Sequence, residues 1–339
     1  MHVVKANSID SCPNVIFFKL SRIYHIEVPV PTPEKRECLV QVKAISVNPI
    51  DTKVRNLKGE VENKPRILGW DGAGVVVAKG EEADLFNIGD EVMFTGDLRK
   101  NGSNAEYVAL NQHLMGPIPR GFTFEQAAAI PLTTVTAYES LFDRLMLSEK
   151  DKGKSLLVIN SAGGVGSMAL QLGKHLEMKV IGTASRFTST DFSYENGATL
   201  VLNHSKNLVE ELKKNAIDTV DYILVNYDPF PYWETLMTVI KPQGKICNIV
   251  DASNNVDIKP LKDKSVTLVS ESMLTRIKYD VEMARHHEIL AIVSKMFEEG
   301  KLKSTLTKTL TPINAANLKE AHKLLEEKTM VGKIVLNGF

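Results

Sequence analysis

The sequence predicts an α/β protein in two parts: a β-rich, barrel-like unit over residues 1–125, completed by residues 275–339, and a doubly wound parallel sheet over residues 126–274. Three observations lead there. The 339 residues exceed what one hydrophobic core usually organises, so two domains are expected. The texture changes near residue 125, from short β-type runs broken by Gly, Pro, Asn and Asp to apolar strands alternating with helical patterns. A glycine-rich turn, Ser161-Ala162-Gly163-Gly164-Val165-Gly166, joins the first of those strands to the first helix.

In the first part the strand candidates are Leu39–Ala44, Gly74–Val77 and Glu91–Phe94, each bounded by turn residues. In the second, Ser155–Asn160 reads as a buried strand and is followed by the glycine turn and a helix through Lys174. Further strands are expected at Val180–Thr183, Thr199–Leu202, Tyr222–Val225, Lys245–Val250 and Val266–Val269, which makes six in a doubly wound sheet. A helix around Glu288–Glu299 and a strand–helix–strand tail close the chain. The tail is too short for a domain of its own, so it is expected to return to the first part.

Lys+Arg and Asp+Glu both total 41, a balance that argues against a nucleic acid or an anionic membrane as partner. The apolar run Val15–Phe18 ends at Lys19, far short of the roughly 20 residues a membrane span needs. Cys12, Cys38 and Cys247 form no C-x-x-C pair, and an odd count suits free thiols in a reducing cytoplasm. His286 and His287 diverge by about 100° on a helix, so they cannot chelate together and are expected to face solvent.

A pyrophosphate settles on a helix N-terminus only where the backbone comes close, so side chains must be missing at set positions. Gly163 and Gly166 fill the second and third glycine positions of the G-x-G-x-x-G pattern, Gly164 and Val165 supply amides, and Ser161 replaces the first glycine. Strand before and helix after make this a Rossmann-type nucleotide site. An NAD site usually carries Asp or Glu at the end of the second strand, but here Thr183-Ala184-Ser185-Arg186 stands there, and Asp191 falls inside the next helix. Ser185 and Arg186 suit a 2′-phosphate, so the expected cofactor is NADPH.

The run Ala127–Tyr138 (AAAIPLTTVTAY) followed by the Gly163 turn resembles the medium-chain dehydrogenase/reductases, in the quinone oxidoreductase branch and its zinc-type alcohol dehydrogenase-like subgroup. Asn48-Pro49-Ile50-Asp51, Leu68–Val75, Gly89–Val92 and Gly332–Leu336 match in the same order, so the resemblance covers nearly the whole chain. It implies a GroES-like barrel made by the first segment and the tail, a Rossmann domain inserted between them, and an active site in the cleft that separates the two. Val266–Val269, the last of the six strands, would leave an unpaired sheet edge, so a two-fold dimer joined there is expected, as family members commonly form; the alternative is an edge covered by the loop near Ser270-Glu271-Ser272, which leaves a monomer.

The family's catalytic zinc is held by Cys, His and a later Cys or Asp. Those positions match Asn48, Trp70 and the neighbourhood of Leu132 and Thr133, none a zinc ligand, and Asp71 alone makes no site. Without a Lewis acid, the substrate expected is a quinone or α,β-unsaturated carbonyl, whose conjugation makes a carbon electrophilic. By the resemblance, Asn48 and Asp51 supply the polar end of the site and Thr136 lies by the nicotinamide. The local alternatives are an Asx turn beside Pro49 and a helix-start hydroxyl at Thr136. Trp70 lines the cleft or packs in the core, and Lys53 stands where the quinone reductases often place a tyrosine. Two competing readings are a zinc-dependent alcohol dehydrogenase and a non-enzymatic NADPH-binding protein.

Overall fold

The computed structural model describes residues 2–6, 23–56 and 66–339. Cys12 and the Val15–Phe18 run lie outside the described residues. In chain order the elements begin with strands β1 (His2–Ala6), β2 (Ile23–Glu27) and β3 (Glu37–Val47), then helix α1 (Pro49–Asn56). Strands β4 (Arg66–Ile67), β5 (Asp71–Lys79), β6 (Glu91–Thr95), β7 (Tyr107–Asn111) and β8 (Met115–Pro117) follow, then α2 (Phe124–Ala128) and α3 (Pro131–Tyr138). Next come β9 (Ser155–Ile159), α4 (Gly164–His175), β10 (Lys179–Ala184), α5 (Phe187–Glu195), β11 (Leu200–Asn203), α6 (Leu208–Lys214) and β12 (Val220–Val225). They are followed by α7 (Trp233–Val239), β13 (Ile240–Asn248), α8 (Lys259–Asp263) and β14 (Thr267–Ser270). The chain ends with α9 (Leu274–Tyr279), α10 (Ala284–Glu298), β15 (Leu306–Leu310), α11 (Ala315–Glu326) and β16 (Lys333–Asn337).

These elements form two compact units, one of Met1–Leu132, Leu274–Gly300 and Ser304–Phe339, the other of Thr133–Met273 with Lys301–Lys303. The first carries a seven-stranded sheet in the order β15-β16-β3-β5-β6-β8, with β7 also on β3, and a small sheet β2-β1-β4. Strand β16 lies antiparallel to β3, pairing Ile334 with Val47 and Leu336 with Ile45. The tail thus supplies an interior strand of the first unit's sheet. The close pairing of β5 on β3 requires Gly74, where a Cβ would come within 2.1 Å of the Gln41 carbonyl oxygen. Helix α1 is tied to α11 through Arg55, which donates to His322 Nδ1 at 2.9 Å and to Glu326. Burial, with Arg55 adjacent, drops His322 to about 3, so its ring accepts as a neutral group.

The second unit is a parallel sheet in the order β11-β10-β9-β12-β13-β14, the 3-2-1-4-5-6 order of a Rossmann fold. Its core joins Leu157, Ile181, Ile223 and Ile246 of the strands to Leu212 and Leu236 of the helices, all essentially buried. The central strands β9, β10 and β12 are buried on both faces and read as continuous apolar runs, whereas β14 at the sheet edge is mostly exposed. Cys38 and Cys247 are free and buried. Among the described residues no helix is long and apolar enough to cross a membrane.

Candidate functional site

The glycine turn of the second unit runs from the end of β9 into α4. Asn160 ends the strand with φ near 58°, a left-handed conformation that Asn tolerates. Its backbone N–H donates to Thr183 Oγ1 at 2.9 Å. Gly163 then caps α4 and has no side chain to accept from the first amides of the helix. The amides there stay available to an anion, with the helix dipole behind them. The glycines differ in what they do. A Cβ on Gly166 would lie 2.5 Å from the Asn160 carbonyl oxygen and 2.7 Å from that of Ser161, so the turn itself demands glycine. A Cβ on Gly163 would meet nothing closer than 3.5 Å, so the protein's own packing leaves that side open. An open cradle over uncapped amides fits a dinucleotide pyrophosphate.

Ser161 is fully buried; its hydroxyl donates to the Thr183 carbonyl at 3.0 Å and lies 2.8 Å from Ser193 Oγ. It braces the turn from inside, and Gly182 makes room for it, since a Cβ there would come within 2.6 Å of Ser161 Oγ. At the end of β10, Ser185 and Arg186 are exposed, and Arg186 is the N-cap of α5. His204, just past β11, lies 3.4 Å from Thr183 Oγ1; burial, with the Arg186 charge nearby, holds its pKa below the ordinary value. Asn226 follows the carboxyl end of β12, where ligands bind in open α/β sheets. Its amide nitrogen and oxygen are both out of solvent without a hydrogen-bond partner, an arrangement that suits a polar ligand. Asn226 was not singled out from the sequence, although its place after the fourth strand was a usable signal.

A second polar cluster belongs to the first unit. The sequence Asn-Pro-Ile-Asp starts α1, with Pro49 as its first residue, where a missing N–H costs nothing. Asp51 Oδ2 accepts the Asn48 backbone N–H at 2.7 Å, so the cap is made by Asp51 in the first turn rather than by an Asx turn of Asn48. Released from capping, the Asn48 side chain turns inward. Its Nδ2 donates to Asp71 Oδ2 at 3.0 Å and, more weakly, to the Ser46 carbonyl at 3.5 Å, while its Oδ1 accepts from Lys333. Lys333 Nζ also lies 3.1 Å from Asp71 Oδ2, and the Leu132 N–H donates to Asp71 Oδ1 at 3.1 Å. All four side chains are at most 3% exposed.

One ammonium thus faces two buried carboxylates. Burial pushes Asp71 upward, but Lys333 and the donors from Asn48 and Leu132 pull against that rise. Burial pushes Asp51 up to about 7, against the Asn48 N–H and Lys333, with the Asp71 charge adding to the rise. Both carboxyls are therefore raised, and Asp51 Oδ1 is buried without a hydrogen-bond partner.

The zinc-ligand positions fare differently. Asn48 is engaged as above. Trp70 is fully buried, with its Nε1 donating to the Asp97 carbonyl at 3.3 Å and the Arg66 guanidinium 5.8 Å from its ring, so it packs in the first unit's core. Among the described residues no three His, Cys, Asp or Glu side chains converge as a metal site. The residues present do not fit a catalytic zinc. Thr136 sits in the second turn of α3 and is 7% exposed, so it is not a helix-start hydroxyl. It belongs to the second unit and Asn48 and Asp51 to the first. Lys53 is exposed on α1. The histidine pair corrects an expectation: His286 is fully buried in α10, and His287 Nδ1 lies 2.8 Å from the Met115 carbonyl. The α10 face that carries them packs on β8 and the turn before it, which solvent-facing placement overlooked.

Residues 34–129 match the alcohol dehydrogenase GroES-like domain and residues 196–336 the zinc-binding dehydrogenase family. A zinc-type alcohol dehydrogenase-like protein of Staphylococcus epidermidis is 42% identical over 312 residues, covering 91% of this chain and 92% of the relative. An NADPH-dependent alkenal/one oxidoreductase of Arabidopsis thaliana chloroplasts is 29% identical over 319 residues, covering 91% and 74%. A crystal structure from Rhizobium etli, provisionally named a zinc-dependent alcohol dehydrogenase, superposes with a TM-score of 0.91 at 37% identity, covering 100% of this chain and 98% of the other. A GroES-like unit, a Rossmann unit with its glycine turn, and relatives along nine-tenths of the length place this chain in the medium-chain dehydrogenase/reductase superfamily, with the zinc-type alcohol dehydrogenase-like proteins.

Proposed function

We propose that this oxidoreductase uses NADPH to reduce a quinone or an α,β-unsaturated carbonyl compound without a metal. The observation that carries the cofactor is the end of β10, where exposed Ser185 and Arg186 replace the carboxylate that would accept a ribose 2′-hydroxyl. Ser185 Oγ and the Arg186 guanidinium would hold the 2′-phosphate, the amides of Gly164, Val165 and Gly166 the pyrophosphate, and Asn226 a polar edge of the ligand. Ser161 supports this from behind, and Thr136 is assigned to the nicotinamide end. When bound, the reduced nicotinamide supplies a hydride. Asn48, with its amide committed to Asp71 and Lys333, fixes the polar cluster of the first unit, and Asp51, raised to about 7, is the group there that can exchange a proton. The Arabidopsis relative, named for NADPH-dependent alkenal/one chemistry, supports a conjugated carbonyl substrate.

The parent protein is expected to bind NADPH more tightly than NADH and to turn over 9,10-phenanthrenequinone or a simple enone with it. Arg186→Ala is expected to weaken NADPH by about 1.5–3 kcal/mol, roughly 10- to 150-fold, and to leave NADH nearly unchanged. Fluorescence titration of both nucleotides checks this. Equal affinities in the parent protein would sink the cofactor assignment, and NADPH binding without turnover of any quinone or enone would favour the non-enzymatic reading.

We also propose a homodimer joined at the sheet edge. Strand β14 is outermost in its sheet, Thr267 and Ser270 are exposed, and Leu268 is 38% exposed. Light scattering at micromolar concentration should give twice the 37.6 kDa chain mass. Thr267→Pro, which removes a backbone donor from the edge, should shift the protein to monomer; a dimer that survives the change lies elsewhere.

A further inference from the structure

We propose that Lys333 is a built-in cation, standing in the first unit for the metal ion that the family's name implies. Its side chain is 3% exposed, and its ammonium is held by Asn48 Oδ1 and Asp71 Oδ2. Asn48 is the residue at the first zinc-ligand position, and Asp71 follows Trp70 at the second. The Lys333 side chain therefore satisfies the very groups that an incoming cation would need. A divalent ion could reach Asp71 only by displacing an ammonium that has no solvent to retreat to, and Asn48 would offer it only a neutral amide oxygen. The same contacts orient Asn48, since an amide oxygen facing an ammonium leaves its nitrogen to face the carboxylate. Lys333 is thus the counter-charge of Asp71 and fills the place from which a cation would reach it, at a site that already lacks thiolate and imidazole ligands.

Melting temperatures measured without substrate or nucleotide test this independently of the NADPH assignment. The parent protein is expected to melt unchanged after chelator treatment and in millimolar Mn2+ or Zn2+. Lys333→Ala leaves a buried carboxylate unpaired and should lower the melting temperature by roughly 10 °C. Ethylammonium, which restores the lost cation, or Mn2+, which suits oxygen ligands, should raise the melting temperature of the variant and not that of the parent. A parent protein that loses stoichiometric metal and stability together on chelation would overturn the proposal. So would a variant that melts like the parent, or one that neither cation rescues. If Lys333→Ala yields no folded protein, Asp71→Asn combined with Lys333→Met decides. Removing both charges should give a folded protein more stable than Lys333→Met alone, and failure to do so rejects the pairing.

Discussion

Gly166→Ala is expected to abolish tight nucleotide binding and to destabilise the Rossmann unit, whereas Gly163→Ala should damage binding alone. The difference lies in what each new methyl group meets. At Gly166 it would sit 2.5 Å and 2.7 Å from two backbone carbonyl oxygens, of Asn160 and Ser161, and neither can rotate away. The turn must open or α4 must shift, at a cost of about 1–3 kcal/mol in stability. Either movement re-aims the amides at the start of α4, and NADPH should bind about a hundred-fold more weakly, an effect of about 3 kcal/mol. At Gly163 the nearest protein atom would be 3.5 Å away, so the fold tolerates the methyl group and only a closely approaching ligand would collide with it. Nucleotide titration and thermal melting of both variants check the pair. A Gly166→Ala protein that keeps the parent affinity would show that the pyrophosphate lies elsewhere.

The second large effect is expected from Asp51→Asn, as a change in how stability depends on pH. The Asp51 carboxyl ionises at 3.8 in the unfolded chain and only near 7 in its buried place. Between those values the folded state binds the extra proton. The stability this contributes is therefore complete below about pH 4 and is lost as the pH rises to 7. The slope is about 1.4 kcal/mol per pH unit, or about 4 kcal/mol across the window. Asparagine has no proton to lose, so the variant should gain on the parent by that amount between the two ends. Its side-chain oxygen still accepts the Asn48 N–H, which keeps the start of α1 intact. Denaturant unfolding followed through Trp70, in a Trp233→Phe background, reports the unit that contains Asp51. Parallel pH profiles for the two proteins would show that Asp51 is ionised in the folded state.

How much of this was legible in the sequence depends on how local each feature is. The central strands of the Rossmann unit were legible because parallel strands buried on both faces are apolar along their whole length, while β14, mostly exposed, was placed by its apolar residues and its position last in the count. Most of their ends differ from the expected bounds by one or two residues, and β13 starts at Ile240, before the Pro242-Gln243-Gly244 stretch that resembles a turn. The glycine turn was visible because helix, turn and strand are neighbours in the chain. Asn48 and Asp51 were chosen, but the partners that define them were not. Asp71 is 23 residues from Asn48, and Lys333 is 262 residues from Asp71, a separation that no local pattern records. Asn226 escaped for a different reason: an asparagine after a strand looks like any turn residue until its amide is found without a partner.

The place of β16 between β15 and β3 has a consequence for how the protein is made. Asn48 and Lys333 meet across 285 residues, so a ribosome moving at about 5–20 residues per second delivers the lysine roughly 15 to 60 s after the asparagine. All six strands of the Rossmann sheet emerge in that interval, and that unit, contiguous except for Lys301–Lys303, has nearly everything it needs to fold first. Meanwhile β3 waits with the edge destined for β16 unpaired, and Asp71 waits without its counter-charge. The first unit's sheet therefore cannot be completed until the last strand of the chain, which carries Lys333, has been synthesised.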